Sequence, residues 1–342
     1  MSFHEKRRQQ FLGERYYNET ISAIPEVIHM FQQSPAGSGS TEQEGWMISQ
    51  RRVAANLFDQ LFLEYTAGQP IESMRQLVGQ IVNAYEIYGQ SLWRHHNNQN
   101  EPVFEFVLTD DYAALMQLIG LCFLLHRRDL LPRIAALQDG VDGENGGADV
   151  LFEEFMIHAM GPDIRYESDY LCALKPYEPL FYALTEDTNT KQLAELHTFL
   201  KRWYKDLAGC AWHDAHKPNE NGEQGGYFGY WSFEAGAAVI LLGIEDDSSL
   251  HQYLYYPKDL VAWSRAHAAQ YPDGGMTATA TIQSTNIQAG QACLKTGWWF
   301  TPTRADSRRF FQKGATFPAI ENSDYGATFW QWSPDQSGPS LV

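Results

Sequence analysis

The run from Ala235 to Leu242 is apolar on every side of a helix, which constrains the fold more than any other feature of the chain. A helix without a polar face is buried all round, so other elements must surround this one. Gly243 occupies the position of a left-handed C-cap, and Pro257 opens a further predicted helix. Glu234 directly precedes the apolar run, and a buried carboxylate is either paired or held neutral.

Apolar residues recur with the period of an α-helix through much of the remaining chain. Such stripes lie within residues 57–65, 74–88, 115–125 and 193–207. Asp110 or Asp111 occupies the position of the N-cap for the third stripe. Helices that each carry one apolar face bury those faces against one another most simply in a bundle. We therefore predict a mainly α fold, a helical bundle.

The C-terminal residues 291–342 have a different pattern, with many aromatic residues in short segments separated by Gly and Pro. Alternation in the stretch ATFWQW is typical of a β-strand, which indicates a small β module. Polar, glycine-rich loops interrupt the helical part at residues 34–45 and 139–149. We predict three domains, at residues 1–138, 149–272 and 291–342.

The chain is strongly acidic, with 42 Asp and Glu against 25 Lys and Arg and a formal net charge of −17. Such a surface repels nucleic acid and anionic lipid and attracts a basic partner. The start, MSFHEKRRQQF, lacks the apolar core of a signal peptide, and no apolar run approaches the ~18 residues of a membrane span. We expect a cytoplasmic protein that contacts neither nucleic acid nor membrane directly.

Three residues in the segment WHDAH are possible metal ligands, namely His213, Asp214 and His216. No further motif supplies the remaining ligands of a catalytic metal site, and the four cysteines are widely spaced. The favoured interpretation is a structural role near a helix C-terminus, where a cationic His is stabilised by the dipole and either ring can pair with Glu234. A partner-binding role and a metal-dependent hydrolase are the alternatives. We predict no catalytic residue, no metal and no cofactor.

Three features occur together in one order: WHDAHK after an amphipathic helix, then GYWSFEAGA, then DDSSL followed by YYPKDLV. This combination, over roughly Leu151 to Ala266, resembles the C-terminal domain of the PoNi family, bacterial immunity proteins that neutralise PoNe-type DNase toxins. The early stretch FLGERYYNETISAI resembles the N-terminal helical domain of that family, and the aromatic tail is an addition to its pattern. The signature residues, for which we expect structural roles, are Trp212, His213, Asp214, His216, Tyr230, Trp231 and Glu234.

The resemblance implies a non-enzymatic immunity protein that binds a cognate polymorphic DNase toxin delivered by type VI or another contact-dependent secretion route. An acidic surface can block the active cleft of a nuclease, because that cleft must attract phosphates. The candidate toxin-binding carboxylates are Glu245, Asp246, Asp247, Asp139, Asp142 and Glu144. Contact through the signature aromatics would instead require Trp231 and Tyr230 to be exposed. A scaffold protein that uses its aromatic tail is a further alternative, and the sequence names neither the toxin nor the oligomeric state.

Overall fold

The computed structural model describes residues 2–218, 220, 222, 225–271, 287–293, 296–301, 307–319 and 328–333. Within these ranges lie eleven α-helices and four short strands. The helices are α1 (Phe3–Lys6), α2 (Glu14–Gln33), α3 (Glu42–Thr66), α4 (Ile71–His96), α5 (Thr109–Leu124), α6 (Leu131–Ala136), α7 (Val150–Met160), α8 (Leu174–Thr185), α9 (Asn189–Asp206), α10 (Phe233–Leu241) and α11 (Lys258–His267). The strands are β1 (Ile287–Gln288), β2 (Gly297–Phe300), β3 (Arg309–Phe311) and β4 (Phe329–Trp332).

The prediction of a mainly α fold with a small β module is confirmed. The chain divides into two compact units, Met1–Met276 and Thr277–Val342. One hydrophobic core runs through the helices of the first unit, from Leu12 to Val261. The boundary predicted between residues 138 and 149 stays a prediction, and the helices on its two sides share that core. No helix in the described ranges is both long and apolar enough to cross a membrane.

The starts of the helices show how local sequence sets their limits. Thr41 caps α3, where its side chain accepts a hydrogen bond from the backbone N–H of Glu44, and Asp149 caps α7 in the same way. The predicted N-cap of α5 is wrong, because the helix begins at Thr109 and places Asp110 and Asp111 in its first turn. Carboxylates in a first turn are still favoured by the helix dipole.

Helix α10 lies at the centre of the first unit, as its apolar sequence predicts. All residues from Phe233 to Val239 are buried, whereas Ile240 to Leu242 are half-buried as the chain turns toward the surface at Gly243. The predicted cap is confirmed, since Gly243 has a φ of 62° and α11 begins directly after Pro257. Helix α5 crosses α10 at Gly120, where a Cβ atom would lie 2.6 Å from the backbone nitrogen of Glu234.

The second unit is a four-stranded antiparallel sheet with the strand order β1-β4-β2-β3. The aromatic residues of the sequence form its small core, in which Cys293, Trp299, Phe317 and Trp330 are buried. The rings of Phe317 and Trp330 stack with centroids 5.6 Å apart. The strand predicted from ATFWQW is therefore present as β4.

Candidate functional site

The aromatic segment that precedes α10 is fixed by side chains from the N-terminal part of the chain. The buried Gln9 side chain donates from Nε2 to the carbonyl of Tyr230 at 2.6 Å and accepts from the backbone N–H of Tyr230 at 2.9 Å. Thr66 donates from its hydroxyl to the carbonyl of Phe228 at 2.6 Å and accepts from the indole of Trp231 at 2.8 Å. The signature segment thus depends on residues that lie more than 160 positions earlier in the chain.

Gly229 is required where this segment passes Thr66. Its φ is 135°, a conformation that side chains rarely adopt, and a Cβ atom would collide with the Thr66 hydroxyl and lie 2.6 Å from the indole nitrogen of Trp231. The glycine in GYW therefore has a steric cause, which the sequence pattern alone does not reveal.

Glu234 is fully buried, and its carboxylate is only partly hydrogen-bonded. Its Oε1 accepts a hydrogen bond from the indole nitrogen of Trp203 at 2.8 Å, whereas Oε2 has no hydrogen-bond partner among the described residues. Burial raises the pKa of Glu234 to about 7, against the opposing effect of its hydrogen bonds. The predicted pairing of Glu234 with a histidine is wrong, because Trp203 occupies that position.

His213 lies in a turn beyond α9 rather than at a helix end. The helix ends at Asp206, and residues 211–216 form successive turns. The His213 ring stacks on Tyr204 with centroids 4.1 Å apart and planes inclined by 29°. A favourable interaction of His213 with the helix dipole is therefore not the reason for its position, since the effect falls off within the last turn. Packing against Tyr204 is what holds the ring.

Asp214 and His216 are held by neighbouring tyrosine hydroxyls. The Tyr204 hydroxyl donates to Asp214 at 2.8 Å, and the Lys217 ammonium lies 2.6 Å from the other carboxylate oxygen. These hydrogen bonds hold the pKa of Asp214 below its ordinary value. His216 Nδ1 lies 2.8 Å from the Tyr230 hydroxyl. Among the described residues, no group of three His, Cys, Asp or Glu side chains is arranged to hold a metal ion.

A cavity of about 400 Å³ lies beside this cluster, and the sequence patterns did not indicate it. Its walls come from α3, α4, α5 and α9, from the loop between α4 and α5, from the turns after α9 and from the segment before α10, so distant parts of the chain assemble it. The aromatic residues of its walls are Phe58, Phe62, Tyr85, Tyr88, Phe104, Trp203, Trp212, Phe228 and Tyr230.

The charged residues that line the cavity are three aspartates and one arginine. Arg51 pairs with Asp111 at 2.9 Å, and Asp110 accepts a hydrogen bond from the backbone N–H of Ala211 at 3.0 Å. Asp59 differs from both of the other aspartates, because its carboxylate makes no hydrogen bond or ion pair with any described residue. The cavity therefore contains one carboxylate without a partner.

The environment of Asp59 disfavours its charged form. Burial raises the pKa of Asp59 to about 7, and only the positive charge of Arg52 acts against this shift. A sequence signal for this residue did exist, because Asp59 is the one charged side chain within the apolar stretch LFDQLF of α3. Asp59 also lines the cavity, and no local sequence pattern predicts that cavity.

Two of the predicted toxin-binding carboxylates are engaged inside the protein. Asp247 is buried and accepts hydrogen bonds from Arg265 at 2.7 Å and from the Tyr256 hydroxyl at 2.5 Å. Asp139 is held by both terminal nitrogens of Arg165, at 2.7 and 2.9 Å. These two aspartates fix loops to the helical body, which leaves their charges less available to a partner.

The other four predicted carboxylates are exposed. Glu245 and Asp246 lie in the loop after α10, and Asp142 and Glu144 lie in the glycine-rich loop before α7. Their role in binding stays a prediction. Tyr230 and Trp231 are only 2% and 3% exposed. The exposure required for toxin contact through these two aromatics is therefore absent.

A comparison with models of known protein families matches the region that contains the signature residues. Residues 147–260 match the model of the PoNe immunity proteins (PoNi), C-terminal. The match includes the WHDAH turns, the segment before α10 and the start of α11. The resemblance seen in the sequence is therefore confirmed for this region, which matches the C-terminal domain of the PoNe immunity proteins within a mainly α-helical chain.

The fold is also found in a solved structure. The chain is similar to the crystal structure of protein PA2201 from Pseudomonas aeruginosa, with a TM-score of 0.58 and 18% sequence identity. The similarity covers 77% of this chain and 92% of that chain. It establishes a common fold. A search of curated proteins gave no match.

Proposed function

We propose that this chain is an immunity protein that binds and neutralises a PoNe-type DNase toxin. The observation that carries the proposal is the match of residues 147–260 to the C-terminal domain of the PoNe immunity proteins. Within that match, Trp203 donates a hydrogen bond to Glu234 and stacks on Trp212, and Tyr230 and Trp231 are buried in the same core. In this proposal the core positions the binding surface and takes no part in chemistry, so the protein acts without catalysis.

The physical basis for neutralisation is charge. A nuclease cleft attracts phosphates, so an acidic protein is drawn to it and competes with DNA for it. The net charge of −17 supplies long-range attraction. The exposed carboxylates of the two loops, Glu245 with Asp246 and Asp142 with Glu144, are the proposed contacts. The toxin arrives through type VI or another contact-dependent secretion route, and the protein acts in the cytoplasm of the producer or its siblings.

The test is protection of cells that express a PoNe-type DNase toxin, beginning with any such toxin that is encoded next to this gene. Co-expression of the wild-type chain is expected to restore growth, and a failure of the chain to protect would overturn the proposal for that toxin. The pairs E245Q/D246N and D142N/E144Q are expected to slow association with the purified toxin about tenfold at low salt. The control pair E26Q/D187N removes two exposed charges elsewhere and is expected to change association much less.

A further inference from the structure

We propose that the aromatic cavity beside the signature segment is a receptor for one arginine side chain of the partner protein. This inference rests on the proposed function and adds the chemistry of one contact to it. The cavity is partly open to solvent, and three residues that line it, Arg51, Asp110 and Ala211, are exposed. A side chain on a partner surface can therefore enter from outside.

The first reason is the unpartnered carboxylate of Asp59. Arg51 is paired with Asp111, and Asp110 binds a backbone N–H, so neither arrangement supplies a cation to Asp59. Three carboxylates against one guanidinium leave the cavity lining with an excess of negative charge. A carboxylate in such surroundings gains most from a ligand that brings both a positive charge and hydrogen-bond donors.

The second reason is the aromatic walls. Trp203 and Trp212 stack with centroids 5.3 Å apart and planes inclined by 20°, and Phe58 and Phe62 meet edge to face at 5.2 Å. A cation over an aromatic face is attracted by the ring quadrupole. A guanidinium suits this lining better than an ammonium, because it is planar, stacks on rings and is more weakly hydrated.

The third reason is the size and setting of the cavity. Its volume of about 400 Å³ lies in the range of ligand sites, and it has room for a long side chain with part of a neighbouring residue. Val107 and Leu108, just before the rim residue Asp110, are 79% and 45% exposed. Exposed apolar side chains beside a charged pocket are typical of a protein-binding surface. Arginine is also a frequent anchor residue at interfaces.

The experiment uses the full chain and a pair of small probes that differ only in charge. N-acetyl-arginine amide and N-acetyl-citrulline amide are titrated up to 50 mM while the indole N–H signals of Trp203 and Trp212 are followed by NMR. The arginine probe is expected to shift these signals saturably, and the neutral citrulline probe is expected to bind at least tenfold more weakly. Equal response to both probes, or response to neither, would overturn the proposal.

Two variants and one control locate the effect. Asp59→Asn is expected to abolish the preference for arginine over citrulline, and Ala55→Phe is expected to block both probes by filling the cavity. Asp187→Asn removes an exposed carboxylate away from both the cavity and the proposed toxin contacts and is expected to leave the titration unchanged. An unchanged arginine preference in folded Asp59→Asn protein contradicts the assignment of Asp59.

The same variants separate this proposal from the proposed function. Asp59→Asn is expected to weaken binding of the purified toxin at least tenfold, with the control variant unchanged. Toxin binding that is insensitive to both cavity variants overturns the cavity proposal and leaves the immunity function intact. If the protein binds the arginine probe but does not bind the toxin, the cavity still accepts an arginine side chain and the immunity function for that toxin is overturned.

Discussion

The indole nitrogen of Trp203 donates a hydrogen bond of 2.8 Å to Oε1 of Glu234 in the fully buried core of the first unit. The bond joins α9 to α10, two helices that both belong to the matched PoNi region. The second carboxylate oxygen has no partner among the described residues, so the charged form of Glu234 is poorly compensated. The signature carboxylate therefore makes the stability of the protein depend on pH.

We expect Glu234 to destabilise the fold as pH rises. Its pKa is about 7 in the folded protein and near 4.5 when unfolded. The folded state therefore holds the proton more tightly, and stability that is fully present below pH 4.5 is lost as pH rises to about 7. The loss amounts to roughly 3 kcal/mol.

Urea unfolding at pH 5 and pH 8 checks this dependence. Other groups also titrate in this range, so the informative quantity is the difference between wild type and Glu234→Gln. We expect the variant to lose less stability than the wild type over this interval, because its amide stays neutral. Equal losses in the two proteins would show that Glu234 does not carry the pH dependence.

Gly120→Ala is expected to reduce the free energy of unfolding by about 1–3 kcal/mol. The added Cβ atom would lie 2.6 Å from the backbone of α10, so α5 and α10 would have to move apart. Gly209→Ala is the matched control, since a Cβ atom there meets nothing within 4 Å. Thermal or urea unfolding of both variants checks the prediction, and similar stabilities would contradict the close helix crossing.

Gln9→Ala is expected to cost about 2–4 kcal/mol of stability, because the variant removes the hydrogen bonds of Gln9 to the backbone groups of Tyr230 and to the carbonyl of Leu254. The adjacent Gln10 is exposed, and Gln10→Ala is expected to change stability by less than ~0.5 kcal/mol. Denaturant unfolding distinguishes the two. A small effect at both positions would mean that the N-terminal segment does not hold the signature segment in place.

Arginine binding in the cavity is expected to strengthen as pH rises. The pKa of Asp59 is about 7 in the free protein, so ionisation between pH 6 and pH 8 increases the fraction of binding-competent carboxylate about tenfold. The groups that act on Asp59 are Arg52 on its own helix, Tyr85 on α4 and Tyr16 on α2.

Neither phenol titrates in that interval, because the pKa of each is raised by burial. Titration of the N-acetyl-arginine amide at pH 6 and pH 8 measures the change. Asp59→Asn is expected to remove this dependence, and a wild-type affinity that is equal at the two pH values would contradict the assignment.

The sequence correctly predicted those elements that depend mainly on residues close together in the chain. The apolar run of α10, the glycine at its C-terminus and the alternation in β4 each leave a periodic or positional signal that the structure reproduces. The wrong N-cap of α5 shows the limit of such signals. In a sequence, two adjacent acids in the first turn of a helix cannot be distinguished from an acid at its N-cap.

The contacts that organise the site depend on chain segments that lie far apart. Gln9 bonds to Tyr230 across 221 positions, and nothing in a polar N-terminus indicates such a partner. In the sequence Asp139 looks like a free charge in a loop, but in the structure it is paired with Arg165 inside the protein. The cavity around Asp59 is built from four helices, one loop, the turns after α9 and the segment before α10, so only the folded chain reveals it.

The most direct test of the immunity account is a titration of toxin activity. A purified PoNe-type DNase toxin, the one found to be neutralised in cells, is mixed with increasing amounts of the full chain, and DNA cleavage and complex formation are measured in the same samples at low and moderate salt. The account predicts that cleavage falls to zero at a fixed molar ratio with formation of a complex, and that affinity decreases as salt rises. Full cleavage with no complex at a large excess of the chain would contradict it.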